Sequence, residues 1–241
     1  MSNLDVKWAA QLENVHDVSL RGFADLEFWA AYVEPYGVTP AVCNGKAEII
    51  IIGGDARFRG VPFRELSFAL MLAAEHAAAF KDAAFLLHSF NSCRFFAFCE
   101  RVFFSTPYTH ANVSLSPSLP ASIKVEVARE EVFQIAMGDT EVGVRLPTFC
   151  GREDWDGAVY LPYDLSKNTK TGKVFFSRVQ GEARKFSYDI LVDKISIKPE
   201  GGPEVLTSLI ESEFIPYEWI MRKSSTHAKS KTYLASTDLF H

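Results

Sequence analysis

The run Glu48-Ile49-Ile50-Ile51-Ile52, stopped by Gly53-Gly54, constrains this chain more than any other feature. Consecutive β-branched residues favour extended backbone, and the run is too short for a typical helix, so it predicts a buried strand. Further strand candidates follow. Ala84 to Phe90, Ala111 to Leu115, Ile123 to Val127, Val132 to Met137 and Val142 to Leu146 alternate or run apolar between turn residues. Gly138-Asp139-Thr140 reads as a hairpin loop within an antiparallel meander. Gly157 to Tyr163, Lys173 to Gln180, Phe186 to Ile197 and Glu218 to Lys223 extend the series.

Helical signals are fewer. Phe23 to Glu34 (FADLEFWAAYVE) carries apolar residues at helical spacing and is closed by Pro35-Tyr36-Gly37. Asn91-Ser92 reads as an N-cap for CRFFAFCERVFF, a helix that must end before Pro107. Val205 to Ser212, after Pro203, predicts a third. Phe63 to Phe80 is read as a strand and then a short helical turn, although the alanines of its second half suit a helix. The sum is an α+β fold, mostly antiparallel β, with a strongly curved sheet and few short helices. Such a sheet escapes exposed edges by closing into a barrel or cone, whose mouth is a natural ligand site.

With no internal repeat, low-complexity tract or linker, residues 1–241 read as one domain. The hydrophobic fraction of 48% is ample for a packed core, and most of the 20 phenylalanines are expected to fill it. A net charge of −5 argues against the uniformly basic surface that nucleic acid or anionic lipid requires. No apolar run is long enough for a membrane-spanning helix, and Met1-Ser2-Asn3-Leu4-Asp5 lacks the pattern of a secretory leader, so a cytoplasmic protein is expected. Cys43, Cys93, Cys99 and Cys150 lack CxxC spacing and read as reduced and mostly buried.

Two stretches, Phe58-Arg59-Gly60-Val61-Pro62-Phe63-Arg64-Glu65 and Arg94 to Asn112 (RFFAFCERVFFSTPYTHAN), resemble the YqjF-like family, a domain of unknown function among the acetoacetate decarboxylase-like proteins. The second carries that group's PY.HA pattern at Pro107, Tyr108, His110 and Ala111. The resemblance runs from about Phe23 to Val127 and implies a cone-like barrel around an internal cavity, with Glu65 on its wall. Decarboxylases of this type use a lysine directly after a proline, in ExxGxPKK, to form a Schiff base with a β-keto acid. Aligned on Pro107, this chain has Val102 for the glutamate, Ser105 for the glycine and Tyr108-Thr109 for the two lysines. Neither a phenol nor an alcohol forms an iminium ion, so the fold is implied and the reaction is not.

The most concentrated polar set near the expected cavity is Arg57, Arg59, Glu65, His88, Arg94, Tyr108 and His110. Tyr108 and His110 could act as an acid/base pair while an arginine holds a carboxylate. In the structural alternative, Tyr108 and His110 satisfy backbone groups at a turn and the arginines pair with Glu65 and Glu100. His76, His88, His110 and His227 stand singly without ligand spacing, so neither a metal nor another cofactor is expected. Gly53-Gly54-Asp55 lacks a nucleotide fingerprint, and Lys223, Lys229 and Lys231 read as a solvated strand face or tail. Three functions stay open: a binder of a small organic acid or ketone without the Schiff-base lysine, an assembly protein with a filled cavity, and an enzyme of enolisation or hydrolysis using Tyr108 and His110. A homodimer or higher homo-oligomer is compatible with each. Cavity volume separates the first two.

Overall fold

The isoleucine run forms the middle of a 13-residue strand, and what surrounds that strand sets the architecture. The computed structural model describes residues 6–138, 145–163, 165 and 172–235. In chain order the elements are β1 (Trp8–Ala24), α1 (Leu26–Val33), β2 (Val42–Cys43), β3 (Lys46–Phe58), β4 (Val61–Met71), β5 (Asp82–Asn91), α2 (Arg94–Cys99), β6 (Tyr108–His110) and β7 (Asn112–Ser116). They continue with β8 (Ser122–Val127), β9 (Glu130–Ala136), β10 (Phe149–Arg152), β11 (Trp155–Leu161), β12 (Lys173–Ser187), β13 (Lys194–Ile197), α3 (Glu204–Glu211) and β14 (Ile215–Leu234).

Seven strands pair in the order β1-β14-β12-β11-β5-β4-β3, and β3 pairs back with β1, so the sheet closes on itself. Closure leaves the seven strands no free edge. The ring is antiparallel except where β11 runs parallel to β5. Its longest seam joins β1 to β14, from Trp8 opposite Ser230 to Phe23 opposite Ile215. A separate sheet of order β13-β9-β8-β7 packs on the outside of β3 and β4. Gly53 makes that contact close, since a Cβ there would collide with the side chains of Ile123 and Leu115. Ile49 and Ile51 of β3, Phe68 of β4 and Val125, Phe133 and Ile135 of the small sheet form one core without solvent exposure. Trp29 of α1 and Leu206 of α3 join it. Ile50 and Ile52 point the other way, into the ring.

The mostly antiparallel curved sheet with few short helices matches the sequence expectation. Phe63 to Phe80 also behaves as read, β4 being followed by a 3₁₀ turn at Ala74–His76. Phe23 and Ala24 end β1 rather than begin a helix; α1 starts after Asp25, whose Oδ1 accepts from the Phe28 N–H at 2.6 Å. Asn91 ends β5, so Cys93 occupies the N-cap of α2, and the Asn91 side chain accepts from the Cys93 N–H at 2.8 Å. Phe186 to Ile197 is two strands rather than one. The turn between them is anchored by Asp193, which accepts from the Gly138 N–H (2.8 Å), the Trp219 indole (2.9 Å) and Arg145 (2.6 Å). The expected strand at Val142 to Leu146 and the Gly138-Asp139-Thr140 loop fall largely on residues 139–144, outside the described residues. The four cysteines are free, and none is fully buried as expected: three are half-buried and Cys150 is exposed. No described helix is long and apolar enough to cross a membrane.

Candidate functional site

Inside the ring lies a cavity of about 560 Å³, lined by alternate residues of all seven strands. One end is covered by α2 and the π-helical turn Glu100–Phe104 that continues it. Phe96 anchors this cover, packing edge-on against Phe63 (5.2 Å between ring centres) and Phe58 (6.1 Å) at the tip of the β3–β4 hairpin.

A register shift in β5 decides which of its residues face inward. Leu86 lies opposite Ala69, but His88 lies opposite Phe68. Inward parity therefore passes from Ala84 and Leu86 to Ser89 and Asn91, and His88 turns outward against Phe90 (4.9 Å). Burial pushes His88 down to about 4, and its Nε2 has no partner among the described residues.

The shift assembles a polar cluster beneath the cover. Glu65 accepts from the Tyr108 hydroxyl at 2.8 Å, from Asn91 Nδ2 at 3.2 Å and from Ser67 Oγ at 3.3 Å. The Ser67 and Ser89 hydroxyls are 2.7 Å apart. Burial raises the Glu65 carboxyl above its usual range, and neighbouring Glu100 raises it further. Burial likewise pushes the Tyr108 phenol well up, aided by the charges of Glu65 and Glu100. The pair thus favours its protonated forms. Beside it, Lys229 of β14 forms an ion pair with Glu100, which also accepts from Thr106 Oγ1 at 2.8 Å. The Lys229 ammonium lies 4.6 Å from the centre of the Phe175 ring, 4.9 Å from Phe104 and 5.6 Å from Tyr108. An aromatic box of this kind holds a cation in place.

A second buried group lies on the β1–β14 seam. Asp17 accepts from Arg222 at 3.1 Å and from Ser225 Oγ at 2.6 Å, and His227 Nε2 stands 3.2 Å from it. His227 Nε2 also stands 3.1 Å from Ser225 Oγ, but the same nitrogen faces Asp17 and Ser225 donates to Asp17, so the carboxylate does not orient the ring from its other nitrogen as in a serine–histidine–aspartate triad. A third group places Arg21 between Glu48, Glu153 and Glu218, at 3.7 to 3.9 Å from each.

Of the residues singled out in the sequence, Glu65 and Tyr108 meet directly. Arg57, Arg59, Arg94 and His110 are exposed, and neither they nor His88 line the cavity. Tyr108 therefore has Glu65 as its partner and not His110, and among the described residues no arginine pairs with Glu65 or Glu100. Lys229 was misread as part of a solvated face. The amine missing after Pro107 is present in the cavity, supplied by another strand. Its signal is faint: β14 shifts register near this point, with Phe175 opposite Thr232 but Ser177 opposite Lys229, so simple alternation does not single it out.

No protein-family model and no curated protein matches the chain. Solved structures do. The enduracididine biosynthesis enzyme MppR complexed with pyruvate is 11% identical, with a TM-score of 0.64 over 98% of this chain and 93% of that one. Acetoacetate decarboxylase from Legionella pneumophila is 9% identical, with a TM-score of 0.61 over 95% of this chain and 88% of that one. An acetoacetate decarboxylase-like enzyme from Sphingomonas wittichii RW1 is 10% identical, with a TM-score of 0.56 over 97% and 94%. At these identities the likeness shows the fold, which is of the acetoacetate decarboxylase-like type.

Proposed function

We propose that this chain, a decarboxylase-like barrel without a lysine after its proline, binds a small carbonyl compound, a ketone or organic acid, inside the ring, with the carbonyl oxygen at Tyr108 and Glu65. The observation that carries this reading is the void of about 560 Å³, which lies in the range of ligand pockets and speaks against a cavity plugged by phenylalanines. The Tyr108 hydroxyl, which donates to Glu65 Oε1, would exchange that bond for one to a carbonyl, beside the O–H of a protonated Glu65. The structure of MppR with pyruvate supports a small carbonyl ligand by analogy of fold. The PY.HA motif supports a place in the YqjF-like branch, and the free cysteines support a reducing, cytoplasmic setting. The single domain over residues 1–241 and a homo-oligomeric assembly belong to the same proposal.

A second reading, an enzyme of enolisation or hydrolysis, is favoured by the 2.8 Å Tyr108–Glu65 bond. In enolisation Tyr108 would donate to the carbonyl oxygen while a carboxylate removes the α-proton. Glu65 then replaces His110 as the partner expected from sequence.

Native mass spectrometry of the purified protein tests the binding reading. A retained carbonyl metabolite, lost in Tyr108→Phe, is expected. A bare mass together with no thermal shift from pyruvate, acetoacetate or 2-pentanone would remove it. Borohydride trapping with acetoacetate is expected to leave no adduct, because Lys229 is engaged by Glu100 as a cation. A reduced adduct on Lys229 would show that the amine takes part.

A further inference from the structure

The charge of the cavity wall narrows the ligand beyond a carbonyl compound. Among the described lining residues the bases are Arg21, Lys81, Arg222 and Lys229. Seven acids face them: Glu65 and Glu100 under the cover, Asp17 on the seam, and Glu48, Asp82, Glu153 and Asp154 toward the far end. Four bases against seven acids leave a formal excess of acids on the lining, eased toward the far end, where Lys185 pairs with Glu153 and Arg152 with Asp154 from outside it.

Three of these four cations are engaged already, and the fourth, Lys81, is exposed beside Asp82. Lys229 is paired with Glu100, Arg222 with Asp17, and Arg21 stands among three glutamates. Among the described residues no unopposed cation faces Tyr108 and Glu65, the place where a ligand's polar head would sit. Field lines are focused in a low-dielectric recess, so an entering carboxylate meets repulsion there with no dedicated partner. The exposed Arg57, Arg59, Arg94 and Arg101 belong to the outer surface around the cover and do not line the wall.

Between the polar clusters the wall is apolar, with Ile50, Ile52, Leu86, Val159, Phe175 and Ile220 from five strands. A two- or three-carbon head fills little of such a space. Resting on the carbonyl-ligand reading, we infer that the ligand is an uncharged ketone or aldehyde bearing an extended apolar chain, and that the matching oxo acids are disfavoured because the cations nearest Tyr108 and Glu65 are already paired.

Calorimetric titration with two series of equal chain length tests this. The probes are 2-butanone, 2-hexanone and 2-octanone against 2-oxobutanoate, 2-oxohexanoate and 2-oxooctanoate. Ketone affinity is expected to rise about fourfold per added methylene, from about 0.8 kcal/mol for each CH₂ buried. Each acid should bind at least about tenfold more weakly than its ketone, and 0.5 M salt should narrow that gap by screening. Acids binding as tightly as ketones, or ketones indifferent to length, would overturn the inference while leaving the carbonyl reading intact. If neither series binds, both fall together.

Discussion

Along β3, Ile49 and Ile51 point to one side of the ring and Ile50 and Ile52 to the other, and identical side chains meet opposite surroundings. The outer pair is pressed between the barrel and the four-stranded sheet, in a core that includes Phe68 and Phe133. The inner pair borders a void shared with Glu65, Asp17 and Lys229. A packed core and a hollow are thus divided between the two faces of the same strands, a division available to a sheet because successive residues face opposite ways.

The sharpest way to break this division is to truncate on both sides. Phe133→Ala, in the filled outer core, is expected to cost about 3–5 kcal/mol through lost burial and the cavity left behind. Ile52→Ala enlarges a space that already exists, and should cost about 1 kcal/mol. Urea denaturation of both variants measures the contrast. Equal losses would mean that the ring has no hollow.

Asp17 tests whether the inner face carries structure as well. Asp17→Ala strands Arg222, whose side chain is only 7% exposed, and removes the acceptor of Ser225. Breaking a buried pair from one side costs about 3 kcal/mol, the low end of the range where a cavity admits water. A loss below about 1 kcal/mol would show that Arg222 finds other partners.

His88 belongs to the outer face, and pH reports on it. Burial holds it near 4 in the folded chain against 6.5 when unfolded. As pH falls below 6.5 the unfolded chain takes up a proton that the folded chain refuses, so stability drops until about pH 4. About 2 kcal/mol should be lost over that window, allowing for partial exposure. His88→Phe, which keeps the ring contact with Phe90, should flatten this part of the profile relative to the parent. An unchanged slope would assign the acid sensitivity elsewhere.

What the sequence disclosed follows the same division. The outer face speaks through apolar residues, so β3, β5, β8 and β9 were readable from β-branched and alternating runs. Apart from the short β2, β6 and β10, the strands that escaped notice, β1 and most of β14, carry the inward Asp17, Ser19, Arg21, Arg222, His227 and Lys229, whose polarity hides a strand. Glu65 and Tyr108 were reached through motif and resemblance. Their union with Asn91 and Lys229 was not, because it depends on the β5 register shift and on contacts from 26 to 43 residues apart and beyond, which local pattern does not encode. Sequence rules fail here where a strand shifts register and its interior is polar.

Glu65→Gln carries the smallest stability effect and sharpens the comparison most. The folded carboxyl titrates above its usual value of 4.5, chiefly because it is buried. Between those two values the unfolded chain releases a proton that the folded chain keeps, so the parent loses stability as pH rises through the window. Glutamine keeps an acceptor for the Tyr108 hydroxyl and does not ionise. At pH 4 the variant should be no more stable than the parent, since the lost contact with Asn91 is uncompensated. By pH 7.5 it should have gained on the parent by about 1 kcal/mol, within the ordinary range for one substitution, while ketone binding falls because the second O–H donor is gone. A variant whose relative stability declines from pH 4 to pH 7.5 would mean that Glu65 is held ionised by its neighbours and serves the fold. Relative stability that rises while binding is lost would place Glu65 among residues kept for the ligand at the expense of the barrel.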